Sequence, residues 1–449
     1  MERFNNHFFR LCSMVAIGLV CGCSAGKEKI FTPLEMATGW GELSIYITKN
    51  TPANSPTYAS RCFGYIGLTM YESIVHGYPS YHSMAGQLNE LETLPLPETG
   101  AEYDWLAALN AGQALIIKRI YNQTSDENKL KVDSLEALFF DQISRDIDTE
   151  VAERSVAYGR EIAEAIFEWS KTDGGHRGYL KNFDKSLKLP TGEGRWEPPL
   201  YAQSISHYPL HPHWGDNRTF LEKNSRIPTP ELIPHDTTPG SPYYTQFMEV
   251  YEKDKELTQE EKEAALWWGD DPADTFTPPG HSYYIATAVL KAKNPDLIKC
   301  AETYAKMGIA VADAFIECWK WKYEHVSERP SSFINHHVEP GWVSFWPDPP
   351  FPAFPSGHAT NAGTAATILI YQFGERFSFT DSSHVGRKRD ELRDVDFKPR
   401  QYESFWQIAE ETANSRFYGG IHSHYDNEIG LTEGARIAEN VNTLIWKNE

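Results

Sequence analysis

The chain has 449 residues, 41% hydrophobic and 13% aromatic, which is enough for a large folded core of two or three ordinary domain lengths. Its net charge is −20. That excludes the basic footprint of a nucleic-acid binder, and it means that any anion site must gather its cations locally, against the overall field.

The first segment reads as an export signal. Arg3 and Arg10 precede the short apolar run "LCSMVAIGLV", which is too short to span a bilayer. "VCGC" follows and resembles a bacterial lipoprotein cleavage box. The expectation is a signal peptide over 1–22, lipid on Cys23 and a tether over 23–35. The protein would be exported and held by its lipid at the cell or outer membrane, facing the periplasm or the surface. A plain secretory signal is the alternative. Cys62, Cys300 and Cys318 remain, and they could form one disulfide; their spacing fits no zinc site.

Helical periodicity then dominates. "EMATGWGELSIYITKN", "TYASRCFGYIGLTMYESIVHGY", "EYDWLAALNAGQALIIKRIYNQ", "DENKLKVDSLEALFFDQISRD" and "AERSVAYGREIAEAIFEWSKTD" read as amphipathic helices. From about Gly174 to Gly240 the chain is rich in Pro, Gly and His and reads as a long ordered loop. Helices resume at "SPYYTQFMEVYEKDKEL", "TQEEKEAALWWGD", "PPGHSYYIATAVLKAK" and "DLIKCAETYAKMGIAVADAFIECWKWKYEHV". After the Pro-rich "EPGWVSFWPDPPFPAFPSGH" come "ATNAGTAATILIYQFGERF" and a last helix from "HYDNEIG". Few alternating β-branched runs occur. The reading is all-α: two packed helical halves, over 36–240 and 241–449, with long Pro-rich loops.

Three clusters in the second half carry chemistry. Lys322 and Arg329 are seven residues apart, about two helical turns, so they are expected on one helix face. Ser356-Gly357-His358 opens an apolar helix, whose N-terminus offers free N–H groups to an anion. Arg416 precedes Gly419-Gly420, and His422 and Asp426 stand four apart, as an imidazole and the carboxylate that would orient it. Singly these read as a solvated face, a helix cap and a surface pair. Together they place cations, free N–H groups and an oriented imidazole in one pattern.

That pattern, Lys-x6-Arg-Pro, Pro-Ser-Gly-His and Ser-Arg-x5-His-x3-Asp, resembles the superfamily of type 2 phosphatidic acid phosphatases and vanadium-dependent haloperoxidases. Gly430 also fits. The resemblance implies that Lys322, Arg329, Arg416, Ser356 and the Gly357 N–H cradle phosphate or vanadate. It implies His422 as the nucleophile or vanadium ligand, His358 as the acid/base group and Asp426 as the partner of His422. "SPTYASRCFGYIGLTMYESI", "HPHWGDNRTF" and "WWGDDPADTFTPPGHSYYIA" are similar to the large haloperoxidase branch. By that likeness Asp271 pairs with the pocket arginine, with Asp270 and Asp274 close by. Trp319 and Phe351 resemble pocket-wall residues of the chloroperoxidases. The implied activity is oxidation of halide by peroxide on vanadate. The alternatives are a phosphatase acting on phosphate esters without a cofactor, and a non-catalytic binding lipoprotein. His207, His211 and His213 lack a carboxylate partner in sequence and make a weak zinc pattern. His424 has no assigned role, and Trp342 and Trp346 either line the pocket mouth or pack the loop.

Overall fold

The structure, a computed structural model, describes residues 30–199, 201–203, 206–272 and 274–448. The expected signal peptide and Cys23 lie outside the described residues.

The first half contains α1 (Pro33–Lys49), α2 (Pro56–Glu72), α3 (Trp105–Ile120), α4 (Asp126–Ile143) and α5 (Thr149–Ser170). α1 starts inside the stretch read as tether, because Thr32 and Glu35 form a capping box around Pro33. The loop expected to about residue 240 is irregular, with the short α6 (Glu222–Ser225) near its middle. It is tied down by backbone bridges from Arg195 to Ser327 and from Ala202 to Asp348.

The second half contains α7 (Pro242–Lys255), α8 (Gln259–Trp267), α9 (Thr277–Lys293), α10 (Leu297–His325), α11 (Pro330–His337) and α12 (Gly357–Phe373). Next come β1 (Arg376–Asp381) and β2 (Arg400–Ser404), an antiparallel pair, and then α13 (Phe405–Tyr418) and α14 (His424–Asn442). The architecture is helical, as expected. The small hairpin, α11 and α13 are additions to the reading from sequence.

α2 is the central helix of the molecule: every residue after Pro56 is buried. It packs along α10 at a crossing where backbones nearly touch. A Cβ on Gly67 would stand 2.3 Å from the Tyr304 carbonyl oxygen, and one on Gly308 would stand 2.3 Å from that of Phe63. One continuous apolar cluster therefore draws on both halves, from Trp40 and Phe63 to Trp319 and Leu369. Among the described residues, no helix is long and apolar enough to cross a membrane. Cys62, Cys300 and Cys318 are buried free thiols, so the possible disulfide is not formed.

Candidate active site

Lys322 and Arg329 do reach one pocket, but not from one helix face. α10 ends at His325, and Val326 caps it in a left-handed conformation (φ 50°). Arg329 is the N-cap of α11, held extended before Pro330. A residue before proline avoids the helical region, which is the physical reason for the break. Both side chains are fully buried.

Lys322 Nζ donates to the carbonyls of Pro352 (2.9 Å), Ala353 (2.6 Å) and Pro355 (2.6 Å). Its donors are thus engaged by the Pro-rich loop, and it offers an anion charge more than hydrogen bonds. Arg329 Nη2 donates to the Phe351 carbonyl (2.9 Å), and its Nη1 donates to the Ile421 carbonyl (2.8 Å) and lies 3.1 Å from His422 Nε2. Arg416, on α13, donates from Nη2 to the Ala265 carbonyl (2.7 Å), while its buried Nη1 has no partner. None of the three cations has a carboxylate within ion-pair distance among the described residues. Burial, followed for Arg416 and Lys322 by repulsion from Arg329, pulls them down: Lys322 to about 7, Arg329 and Arg416 to about 10. Such a cluster is paired only when an anion enters it.

Ser356 is the N-cap of α12, and its hydroxyl accepts from Ala359 N. By position, the Gly357 and His358 N–H groups have no acceptor inside the helix, so they point partial positive charge at the same place. His358 is partly exposed; it lies beside the Gly269 backbone, and its Nε2 has no partner. Burial and the Arg416 charge hold it down to about 3, so it stands neutral.

His422 and Asp426 meet as expected, Nδ1 to Oδ2 at 3.0 Å, but through a cap and not across a helix face. α14 begins at His424; Ser423 is its N-cap and forms a capping box with Asp426. Asp426 Oδ2 accepts from both the Ser423 N–H and His422. Burial, then the positive charges around it, keeps His422 well below its ordinary value. With Nδ1–H donated to Asp426, Nε2 carries the lone pair.

Asp271 is partly buried, and of the nearby carboxylates it acts most strongly on Arg416; no hydrogen bond joins them among the described residues. Burial pushes it up to about 7. Asp270 faces away, to His281 and His384. Trp319 and Phe351 meet at a tilt of 51° with their centroids 4.9 Å apart, and the Phe351 ring is 5.2 Å from both Lys322 Nζ and Arg329 Cζ. A Cβ on Gly357 would stand 3.4 Å from the Trp319 ring. The two aromatics form an apolar wall behind the cations.

The weak zinc pattern does not assemble. His211 is buried against Ser55 and Thr57, and His213 lies at the surface beside Asp184 and Asp216. His424 is exposed and stacked on Phe417 at 3.8 Å. Trp342 and Trp346 are core residues of two small clusters near Gly420 and Gly419. Reading by spacing missed Gly269, whose backbone lies beside His358, and Asp348, whose charge acts on Arg329 and which accepts from Ser331. Only three-dimensional proximity shows either.

Residues 302–447 match the family model for the second helical-bundle domain of vanadium chloroperoxidase. A vanadium chloroperoxidase from Curvularia inaequalis is 27% identical over 214 residues, 36% of this chain and 35% of that protein. The match thus spans about a third of the curated relative. Among solved structures, a bacterial vanadium-dependent iodoperoxidase superposes with a TM-score of 0.80 at 29% identity, over 94% of this chain and 99% of that one. An apo bacterial vanadium-dependent chloroperoxidase shares the fold, with a TM-score of 0.66 at 15% identity over 93% of this chain and 95% of that one.

Proposed function

We propose that the chain, which resembles vanadium-dependent haloperoxidases in its second helical bundle and in its fold, holds vanadate and uses hydrogen peroxide to oxidise a halide. The observation that carries this is the buried triad of Lys322, Arg329 and Arg416 without ion-pairing carboxylates, with the unpartnered Arg416 Nη1 and His358 Nε2 beside it. These residues fit a tetrahedral oxyanion: three positive charges and the N-terminus of α12 would meet its oxygens, and Nε2 of His422, whose ring is oriented by Asp426, would ligate vanadium.

Bound vanadate would supply Lewis acidity at constant oxidation state, so that peroxide, halide and a proton give hypohalous acid and water. The protein's part is electrostatic and geometric. Lys322 and Arg329 hold negative charge against the Trp319–Phe351 wall, where burial strengthens each interaction. His358, made more basic by the negative charge of a bound oxyanion, would take the proton from incoming peroxide at its unpartnered Nε2. Asp426 fixes the His422 ring so that Nε2 and not Nδ1 faces the cradle.

The test uses purified protein lacking residues up to Cys23. Loaded with orthovanadate, it is expected to oxidise iodide or bromide in the presence of peroxide, and His422→Ala is expected to abolish this. The same protein without vanadate is assayed on an aryl phosphate; vanadate-inhibited hydrolysis without halide oxidation would establish the phosphatase instead. Export and lipidation belong to the same proposal. Labelled palmitate incorporated into the full chain and lost in Cys23→Ser is the expected result.

A further inference from the structure

A buried charged network lies next to the oxyanion pocket and outside its proposed machinery. His281, on α9, is wedged between two carboxylates. Its Nδ1 lies 2.8 Å from Asp270 Oδ2, and its Nε2 lies 2.8 Å from Asp381 Oδ2 at the end of β1. His384 Nε2 lies 3.0 Å from the other Asp270 oxygen. Trp267 Nε1 donates to Asp381 at 2.7 Å, and the Trp268 ring stacks on His281 at 4.4 Å. All four titratable side chains are at most 2% exposed. Burial opposes a charge on His281, but the two carboxylates outweigh it and hold the ring up to about 10. An imidazolium between two carboxylates is the arrangement that keeps these charges paired in the interior.

Asp270 also has a left-handed backbone, as does Thr277 at the start of α9. The φ of Asp270 is 48°, an uncommon value for a residue with a side chain. Two imidazoles grip the carboxylate of this one residue. The turn 269–271 borders the pocket: Asp270, His281 and His358 line one cavity, the Gly269 backbone lies beside His358, and Asp271 is the leading carboxylate acting on Arg416.

We propose that His281 is a positioning residue for the oxyanion pocket. Clamped between Asp270 and Asp381, it fixes the turn 269–271, which borders the cavity lined by Asp270, His281 and His358 and faces Arg416 with the Asp271 side chain. The proposal rests on the oxyanion reading of the pocket.

The same cluster has the residue types of a metal site. Its spacing points elsewhere. Ligand atoms around tetrahedral zinc stand about 3.3 Å apart, given Zn–N bonds of about 2.05 Å. Here the pairs are at 2.8–3.0 Å, the distance of charge-assisted hydrogen bonds, and both His281 nitrogens are used as donors.

The experiment measures tungstate binding by calorimetry in wild type, His281→Gln, Asp271→Asn and the double variant, with the His358 tautomer read by 15N-histidine NMR. His281→Gln is expected to weaken binding about tenfold or more. In the Asp271→Asn background its effect shrinks, because part of the path is already cut. The wild-type His358 shows one tautomer, and His281→Gln shows a mixture. Equal losses in both backgrounds would mark general loosening and overturn the proposal. So would wild-type binding with an unchanged tautomer, or one equivalent of zinc lost with His281. Should His281→Gln fail to fold, His384→Gln removes one of the two grips on Asp270 and is expected to show the same tautomer mixture in weaker form; no change there counts against the clamp. A wild type that binds no tungstate sinks the oxyanion reading, while the tautomer comparison still judges the clamp.

Discussion

Lys322 is the residue whose ionisation governs the pocket. Its ammonium is buried and pulled down to about 7, while a bound anion would raise it again. Binding therefore takes up a proton when the pH is above that value. Affinity is expected to fall with rising pH around and above about pH 7, where Lys322 loses its proton and Asp271 gains its charge. Tungstate, a dianion throughout this range, separates these groups from titration of the ligand, and Lys322→Met should reduce the slope to the part that Asp271 carries. Asp426 acts through His422. Asp426→Ala frees Nδ1 and lets the ring change tautomer, so halide oxidation at saturating vanadate should fall about 10- to 100-fold with the fold intact. At this scale the sequence was informative: Lys322, Arg329, Ser356, Gly357, His358, Arg416, His422 and Asp426 all lie around one buried spot. What it could not show is which atoms are engaged. The three carbonyls around Lys322 come from a loop thirty or more positions away.

At the scale of elements, the site exists because α12 and α14 cross with their backbones almost in contact. A Cβ on Gly434 would stand 2.1 Å from the Thr360 carbonyl oxygen, and one on Gly430 would stand 2.8 Å from that of Ser356. This explains in steric terms why glycine stands at position 430 of the motif. Both obstacles are backbone, which cannot swing aside. Gly434→Ala is expected to destabilise by about 1–3 kcal/mol, read from urea unfolding, and to weaken oxyanion binding by shifting Ser356 and Gly357. Most helices were legible from apolar spacing and from caps such as Thr258 with Glu261. The misses have local causes. The strand Arg376–Asp381 is only six residues long, too short for alternation to stand out. In α13 the buried Phe405, Ile408, Ala409, Thr412 and Ala413 do recur at helical spacing, but they follow directly on a strand. The end of α10 at Val326 had Pro330 as its only signal, since β-branched residues seldom adopt a left-handed conformation.

At the scale of the whole molecule, the halves seen in sequence share their interior. The pocket residues all come from the second half, yet α2 of the first half is enclosed along its length. A fragment of residues 241–449 is expected to lack near-UV circular dichroism and NMR dispersion, because the face of α10 that meets α2 would be bare. Inside the first half, Arg61 pairs with Asp173 at 2.6 Å, and Tyr65 donates to the same carboxylate. Asp173→Ala leaves a buried guanidinium uncompensated and should cost about 3–5 kcal/mol in denaturant unfolding. The cationic pit, finally, is set in a chain of net charge −20. An arriving oxyanion is repelled by the envelope before the pit can attract it. Loading kinetics should therefore invert the usual pattern of electrostatic steering: added salt shortens the Debye length, lowers the repulsive barrier and accelerates capture. Dissolved halide salt would then act twice, as the species consumed and as the screen that lets the oxyanion in.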